Sequence, residues 1–360
     1  MNLFVQMLMP TTPSCLLRNQ PASRLTGWRT YLLNLLRLDN SPTVTVYRGF
    51  GTAKHVTVQG HVLRITPLPQ RHYQQRFWGN LIDMLRQFVV QPIAHAHVQV
   101  AGTTAVHITD ADGFFQFDWQ PDSPLLPGWH PVQINLMSSA TEGRVIASGR
   151  GEVFVPHVTQ YGFISDIDDT FLISHSSTKW RRLGVLLFRN AHGRRPFVGV
   201  VAHYQALYLA GTTAEQPNPI FYVSSSEWNL YAYLVAFLDQ HNLPKGVLML
   251  SQLKRFNQLT RSGQNKHITK LDRIARVLDR YPAHEFILLG DDTQADPSLY
   301  ATIVEHHPTQ IRCVYIRQVG LAPKLAVSAL LTSIETAGVA CCYFRHSTEA
   351  LQHSAQLGLV

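Results

Sequence analysis

Two aspartates separated by one residue stand where a reacting carboxylate pair would be useful. Asp166 and Asp168 directly follow a short apolar run at residues 161–164. A carboxylate such as Asp166 can attack phosphorus and form an aspartyl-phosphate, which divides hydrolysis into two easier steps. Asp168 can protonate the leaving oxygen and then activate water. The pair therefore predicts phosphoryl-transfer chemistry, with Asp166 as nucleophile and Asp168 as acid/base.

Serines and lysines farther along the chain could bind the phosphate. Ser224 and Ser225 follow a second apolar run at residues 220–223, at a predicted helix start where hydroxyl and backbone N–H groups form an anion cradle. Lys270 lies one helical turn after Lys266 on the same predicted helix face. A lysine there supplies a fixed positive charge for the phosphoryl oxygens and restrains the nucleophile.

A third acidic group follows the apolar run at residues 286–289. Asp291 lies just beyond this run, and Asp296 follows five residues later. Asp166 and Asp291 together would hold Mg²⁺, a hard cation that takes a few carboxylates plus water and substrate oxygens. The metal would offset the charge of the clustered acids and of the phosphate.

Each group also has an ordinary structural explanation. Serines before a helix are more often N-caps, a Gly-Asp pair after a strand is more often a turn, and surface lysines usually form a solvated face. The order of the groups, with three of them at strand ends, favours an active site over these alternatives.

In the second half of the chain, strands alternate with helices, and the acidic and serine groups follow these strands. The predicted strands of the second half are 161–164, 220–223, 247–250, 286–289 and 311–316, and the predicted helices are 227–239 and 266–280. Such alternation implies a parallel sheet covered on both faces. Ligands bind beyond the carboxyl ends of such strands, which is where the acidic and serine groups lie.

The first half of the chain has the texture of short strands. About seven are predicted between residues 40 and 156 at sandwich-like spacing, with a break at Gly60 and a hairpin turn at residues 110–113. Apolar residues with helical spacing predict an amphipathic helix over 71–89 and another helical stretch before residue 40. The predicted domains are therefore 1–40 (helical segment), 41–156 (β-rich accessory domain) and 157–360 (catalytic domain).

Two groups in the β-rich region resemble metal sites only superficially. Asp110 and Asp112 lack the remaining ligands of a calcium loop, so a plain turn is the better interpretation. His95 and His97 would share one strand face, but no third ligand lies nearby. Neither group is assigned a function.

Composition indicates a globular protein with anionic partners. Hydrophobic residues make up 45% and charged residues 15%, and the net charge is +8. Four cysteines without zinc-ligand spacing favour a reducing compartment. No apolar run is long enough to span a bilayer, so we expect a cytoplasmic protein that is soluble or peripheral to a membrane. No nucleic-acid partner is expected.

The motifs resemble those of the haloacid-dehalogenase-like (HAD-like) phosphatases and, more closely, the phosphatidate phosphatase App1 catalytic-domain family. The resemblance covers roughly residues 155–320 and rests mainly on four segments: Ser165-Asp166-Ile167-Asp168-Asp169-Thr170, Ser224-Ser225-Ser226 with Trp228-Asn229-Leu230-Tyr231, Lys270-Leu271-Asp272-Arg273-Ile274, and Gly290-Asp291 with Gln294 and Asp296-Pro297. It implies a Rossmann-like HAD-type α/β domain, here preceded by a β-sandwich-like accessory domain, and Mg²⁺ dependence.

The resemblance also assigns roles by motif position. They are: catalytic, Asp166, Asp168 and Lys270; substrate-binding, Thr170, Ser224 and Ser225; metal-binding, Asp166, Asp168, Asp291 and Asp296. Two residues depart from the family pattern. Glu227 stands where proline is usual, and Asp292 adds a carboxylate that we expect beside the metal.

The substrate implied by the family is phosphatidate or a related lipid phosphate. A basic and apolar insertion over 180–195 could lie against an anionic membrane, although a packed cap helix with solvated arginines fits it slightly better. Two alternatives stay open: a phosphatase of soluble phosphoesters or phosphoproteins, and a membrane-docking binding module with a relic active site.

Overall fold

The computed structural model describes seven stretches of the chain: residues 38–39, 41–67, 91–138, 143–157, 161–167, 198–251 and 264–360. These fall into two compact units. The first takes its described residues from 1–46, 59–117 and 132–151, and the second from 47–58, 118–131 and 152–360. The predicted domain boundaries at residues 40 and 156 stay predictions.

The described residues of the first half form ten strands, which is more than the seven or so that the sequence pattern predicts. They are β1 (Leu38–Asp39), β2 (Thr43–Val46), β3 (Gly49–Gly51), β4 (Val56–Pro67), β5 (Gln91–Pro92), β6 (His97–Val100), β7 (Val106–Ile108), β8 (Phe114–Trp119), β9 (Gly128–Met137) and β10 (Val145–Val155). In the first unit, β2 and β5 pair antiparallel with β4, and β7 and β9 pair antiparallel with β6. Every second residue of β2 and β6 is buried, which is the period-two signature of a strand with one face in a core.

The predicted break at Gly60 was wrong. Strand β4 runs through Gly60 without interruption. A Cβ atom at this position would lie 2.2 Å from the carbonyl oxygen of Thr45 and 2.4 Å from the ring of Phe115. The glycine is therefore needed for close approach of a neighbouring backbone and an aromatic ring.

The turn at residues 110–113 exists, but the predicted pairing of its flanking strands was wrong. The carboxylate of Asp110 accepts hydrogen bonds from the backbone N–H groups of Asp112 and Phe114, and Gly113 has a positive φ of 72°. Strand β7 pairs with β6, whereas β8 pairs with β4. Because the Asp110 carboxylate already closes its own turn, the plain-turn interpretation stands.

The two histidines of this region do not share a strand face, contrary to expectation. His95 has a φ of 55° and lies in a turn before β6, and His97 begins the strand. The sequence pattern missed the turn because histidine carries no strong turn preference.

The second unit contains a six-stranded sheet, which confirms the predicted α/β class. Its strands are β11 (Gly162–Asp166), β12 (Ile220–Glu227), β13 (Val247–Ser251), β14 (Phe286–Asp291), β15 (Ile311–Arg317) and β16 (Ala340–Phe344). All neighbours are parallel, in the order β13-β12-β11-β14-β15-β16. The chain leaves β11 on one side and returns as β14 on the other, so the order reverses between these two strands. This is the position where ligands bind in open parallel sheets.

Helices cover both faces of this sheet. The described helices are α1 (Val200–Leu209), α2 (Tyr231–Gln240), α3 (Gln264–Arg280), α4 (Asp296–His306), α5 (Leu325–Thr336) and α6 (Ser347–Gln356), with a 3-10 turn at Trp228–Leu230. Alternate residues of the strands point to opposite faces. Ile164 and Leu288 belong to the core beneath α3, α4 and α5, whereas Phe163 and Ile287 belong to the core beneath α1, α2 and α6. Burial on both faces explains why these strands read as continuous apolar runs.

Several elements were not predicted, and several predictions cannot be compared. The sequence pattern did not predict helices α1, α4, α5 and α6 or strand β16. The predicted helices before residue 40 and over 71–89, and the basic insertion over 180–195, lie outside the described residues. Within the described part of the chain, no helix has both the length and the apolar character needed to cross a bilayer.

Candidate active site

Asp166 is the last residue of the central strand β11. All five residues of the strand are buried, and the carboxylate of Asp166 is completely inaccessible to solvent. The side-chain amide of Gln294 donates a 3.1 Å hydrogen bond to its Oδ2 atom. The predicted nucleophile is therefore held in one orientation where the strand order of the sheet reverses.

The other two acidic residues come from the end of β14 and the beginning of α4. Asp291 ends the strand, and its Oδ1 atom accepts hydrogen bonds from the backbone N–H and the hydroxyl of Thr293 at 2.6 and 2.5 Å. Asp296 begins α4, with its carboxylate also within 3.3 Å of the backbone N–H of Asp291. The tight turn between them folds the second carboxylate back onto the first.

Lys270 joins this acidic group from helix α3. Its Nζ atom lies 3.1 Å from Oδ1 of Asp166 and 2.5 Å from Oδ1 of Asp296, and only 4% of the residue is exposed. Burial lowers the pKa of Lys270, but the two carboxylates outweigh that effect and raise the pKa above its ordinary value. The lysine is thus a permanent buried cation.

The donor set fits a hard divalent cation. One oxygen atom from each of Asp166, Asp291 and Asp296 lies within 4.8 Å of the other two, and all three residues are buried. The three carboxylates outnumber the two buried cations near them, Lys270 and Arg317, and buried charges that are not offset cost several kcal/mol. Carboxylate oxygens are the ligands that Mg²⁺ prefers, and this cation would offset the remaining negative charge.

Arg317 is a buried charge that the sequence analysis missed. It ends β15 opposite Asp291, is 2% exposed, and interacts electrostatically with Tyr204 and Asp291. Burial lowers its pKa to about 10, so it remains protonated at neutral pH. Its guanidinium donates a 2.7 Å hydrogen bond to the hydroxyl of Ser347 and lies 4.7 Å from the ring centre of Phe344. The sequence did contain a signal for Arg317: a basic residue ends an apolar strand at the edge where the acidic residues cluster.

Tyr204, on helix α1, contacts the residue that precedes the predicted nucleophile. Its hydroxyl is 2.7 Å from the hydroxyl of Ser165, the residue before Asp166. Burial raises the pKa of Tyr204, so its phenol keeps its proton. The sequence offered no strand-end signal for this residue, because it lies inside a helix far from the motifs.

The predicted anion cradle at a helix start was wrong in its local structure. Ser224 and Ser225 still belong to strand β12, which extends to Glu227, and helix α2 begins only at Tyr231. The Oγ atom of Ser224 accepts a 2.9 Å hydrogen bond from the backbone N–H of Ser226. Strand β12 is irregular after residue 223, where its register with β13 shifts.

An arginine fixes this end of the strand. Arg273, on α3 with Lys270, donates hydrogen bonds to the carbonyl oxygens of Ser224 and Met249 at 2.8 and 2.9 Å. Lys270 belongs to α3, and Ser224 is hydrogen-bonded to the same helix through Arg273. Both residues therefore lie at the same edge of the sheet.

Asp292 does not belong to the group of three clustered carboxylates, although the sequence analysis expected it beside the metal. Its Oδ2 atom accepts a 2.8 Å hydrogen bond from the hydroxyl of Tyr343, and its Oδ1 atom lies 3.6 Å from Nζ of Lys324. Its Oδ1 also accepts a 3.1 Å bond from the backbone N–H of Val319. Neighbouring residues of an extended chain point to opposite sides, so Asp291 and Asp292 serve different structures.

Two predicted site residues cannot be compared with the structure. Asp168 and Thr170 lie outside the described residues, and so does the side chain of Lys266. The structure therefore brings together Asp166, Lys270, Asp291 and Asp296, and the roles assigned to all these residues stay predictions.

Comparison with known families and proteins agrees with this arrangement. The family model described as "Phosphatidate phosphatase APP1, catalytic domain" matches residues 161–318. The protein named phosphatidate phosphatase APP1 from Saccharomyces cerevisiae is 30% identical over 229 residues, which cover 61% of this chain and 36% of that protein. An uncharacterized protein from Schizosaccharomyces pombe is 25% identical over 193 residues, covering 52% of this chain and 30% of that protein.

The chain spans about a third of the length of these two relatives. Among solved structures, a β-glucuronidase from Parabacteroides merdae aligns with a TM-score of 0.27 at 7% identity, over 85% of this chain and 40% of that chain, which is too low to inform the function. The matched segment, residues 161–318, contains all four clustered residues: Asp166, Lys270, Asp291 and Asp296. Residues 161–318 therefore match the phosphatidate phosphatase APP1 catalytic-domain family.

Proposed function

We propose that this protein is a Mg²⁺-dependent phosphatase that acts through an aspartyl-phosphate, with phosphatidate or a related lipid phosphate as substrate. The observation that carries the proposal is the contact of one buried ammonium, that of Lys270, with the carboxylates of Asp166 and Asp296 beside Asp291. The match to the APP1 family supports the phosphatase assignment and the lipid substrate class.

In the proposed reaction, the carboxylate of Asp166 attacks the phosphorus of the substrate. Gln294 holds one carboxylate oxygen and Lys270 contacts the other, so the carboxylate cannot rotate freely. Restricting the nucleophile to one orientation lowers the entropy cost of reaching the transition state. Asp168 is proposed to protonate the leaving oxygen and later to remove a proton from the attacking water.

Three kinds of group are proposed to stabilise the phosphate: a buried lysine, hydroxyl hydrogen-bond donors and Mg²⁺. Lys270 would face the phosphoryl oxygens, and Thr170, Ser224 and Ser225 would donate hydrogen bonds to them. Asp166, Asp291 and Asp296 would hold Mg²⁺, with Asp168 as a further ligand. When bound, the metal supplies charge that stabilises the phosphoryl group in the transition state.

The same proposal includes the finer architecture and the location. We assign the second unit to the HAD-type Rossmann-like folds, preceded by a β-sandwich-like accessory domain. We place the protein in the cytoplasm, in peripheral contact with an anionic membrane.

A substrate panel tests the proposal. Phosphate release should be measured with Mg²⁺ from phosphatidate in mixed micelles and from soluble esters such as nucleotides, sugar phosphates and a phosphopeptide. Release from phosphatidate that chelation abolishes is the expected result. Release from soluble esters alone would keep the chemistry and exclude the lipid substrate. A folded protein without any release would instead favour a binding module.

A further inference from the structure

An exposed apolar loop lies next to the candidate active site. Residues 319–326, called the loop below, comprise most of the connection between β15 and α5 and the first two residues of α5, and all eight are exposed. Leu321 and Leu325 are 87% and 89% exposed, and Val319 is 38% exposed. The remaining members are small or apolar except for Lys324. Single exposed leucines are common, but a contiguous exposed apolar segment marks an interaction surface.

The base of this loop is fixed to the strand that carries the metal-binding carboxylate. Asp292, the neighbour of Asp291, accepts a hydrogen bond from the backbone N–H of Val319 and forms an ion pair with Lys324. The ammonium of Lys324 also donates to the carbonyl oxygen of Asp292. Asp292 therefore joins both Val319 and Lys324 to the carboxyl end of β14. The loop thus projects from the edge of the sheet where the site lies.

The charges around the loop suit an anionic surface. The sequence contains no Asp or Glu between residues 318 and 334. The backbone N–H of Gln318 donates a 2.7 Å hydrogen bond to the carbonyl oxygen of Phe344, which brings the exposed residue Arg345 to the base of the loop. The carboxylate of Glu349 accepts a hydrogen bond from the backbone N–H of His346, so an acidic group lies one helical turn beyond Arg345. An apolar segment that contains no acidic residue and has an exposed arginine at its base fits a bilayer with anionic headgroups.

The size of the loop argues against a second copy of this chain as its partner. A stable protein interface takes roughly 20–30 residues from each side. An eight-residue loop with three large aliphatic side chains provides only part of that area, whereas a membrane needs only enough apolar surface to enter the boundary between headgroups and acyl chains.

We propose that residues 319–326 insert Leu321 and Leu325 into an anionic bilayer and so bring the candidate site to the membrane surface. This inference rests on the proposed function, because membrane insertion would bring the buried site to a lipid phosphate. The loop itself can be tested without any catalytic turnover.

The test is vesicle binding by the double variant Leu321→Ser/Leu325→Ser. Vesicles of phosphatidylcholine with phosphatidylserine provide an anionic surface that carries no phosphatidate. Co-sedimentation should show that the wild type binds and that the double variant binds at least about tenfold more weakly. Because both leucines are exposed, the variant should unfold at the same temperature as the wild type and keep its activity on a soluble ester.

Leu209→Ser is the matched control. Leu209 is 41% exposed at the end of α1, and Asn218 binds the carbonyl oxygens of Leu207 and Ala210 just before β12 begins. This leucine thus lies at the opposite edge of the sheet, and its loss should leave vesicle binding unchanged.

Three results would overturn the proposal: no vesicle binding by the wild type, equal binding by the double variant, or a wild-type dimer that the double variant converts to a monomer. The catalytic proposal would survive all three, because phosphate release from mixed micelles and soluble esters is measured separately. Conversely, loop-dependent vesicle binding without any phosphate release would support the loop and contradict the enzyme.

Discussion

The ammonium of Lys270 lies 3.1 Å from the carboxylate of Asp166, with both side chains almost completely buried. The contact joins helix α3 to the end of strand β11 at the centre of the sheet. Buried ion pairs are expensive to form and more expensive to break, because the remaining charge is left without its partner. We therefore expect the free energy of unfolding to depend strongly on the contact between Lys270 and Asp166.

Replacing Lys270 with glutamine should destabilise the protein strongly. Asp166 and Asp296 would both lose a buried cation, and breaking such a pair costs about 3–5 kcal/mol in the free energy of unfolding. Urea unfolding without Mg²⁺ measures this loss. Lys245→Gln is the control: its 2.7 Å pair with Glu152 is partly exposed, so we expect a loss of about 1 kcal/mol or less. Equal losses in the two variants would show that the buried contact contributes nothing special.

The adjacent residues Asp291 and Asp292 should separate metal binding from stability. Asp291→Asn removes a charge from the three-carboxylate group and should weaken Mg²⁺ binding by about 100-fold. Asp292→Asn should change the affinity by less than about threefold, because this carboxylate binds Lys324 and Tyr343 instead. Calorimetric titration with Mg²⁺ provides the affinities, and thermal unfolding should show a lower melting temperature for Asp292→Asn. A comparable loss of affinity in both variants would contradict the assigned geometry.

The sequence predicts the chemistry of this site better than its local structure. Strand ends and residue types were enough to find Asp166, Lys270, Asp291 and Asp296, because apolar runs buried on both faces end where polar residues begin. The separation of Asp292 from this group could not be predicted, since it depends on contacts with β16 and with the loop after β15. Tyr204 was missed for a related reason: its contact with Ser165 forms only when helix α1 packs against the sheet.

The β-rich region shows a similar limit. Alternating burial in β2 and β6 follows directly from the sequence pattern. The partner of each strand does not, because β8 skips its sequence neighbour and pairs with β4. Gly60 looked like a break for the same reason, since only the packed structure shows the ring of Phe115 against it.

Gly60→Ala should therefore destabilise the first unit. The added methyl group would meet the carbonyl oxygen of Thr45 at 2.2 Å, and overpacking of this kind typically costs about 1–3 kcal/mol. Gly320→Ala is a suitable control, because the nearest atom, the carbonyl oxygen of Ala322, would be 3.8 Å away. Urea unfolding should show a change within about 0.5 kcal/mol for the control. If Gly60→Ala unfolds like the wild type, strand β4 does not pack as described.

The buried histidine His203 should make the protein less stable in acid. Burial, with smaller effects from the positive charges of Arg317 and His353, lowers its pKa from 6.5 to about 4. The unfolded chain binds a proton below about pH 6.5, and the folded chain binds one only below about pH 4. Stability is therefore lost as the pH falls through this window, by about 2 kcal/mol at pH 5 from this residue.

Urea unfolding of His203→Gln at pH 7.5 and pH 5 isolates this contribution. The variant should lose about 2 kcal/mol less than the wild type between the two pH values. His306→Gln, which changes an exposed histidine of α4, should retain the wild-type dependence. An unchanged pH dependence in His203→Gln would show that this histidine is not buried in its neutral form.

The most direct test of the account is Mg²⁺-dependent phosphate release by Asp166→Asn beside Asp272→Asn. Asp272 is an exposed aspartate on α3, two residues after Lys270, so its variant makes the same chemical change outside the site. We expect that Asp166→Asn folds, binds substrate vesicles and loses at least about 1,000-fold in turnover, while Asp272→Asn stays within about twofold of the wild type. Phosphate release by folded Asp166→Asn at the wild-type rate would show that Asp166 is not the nucleophile.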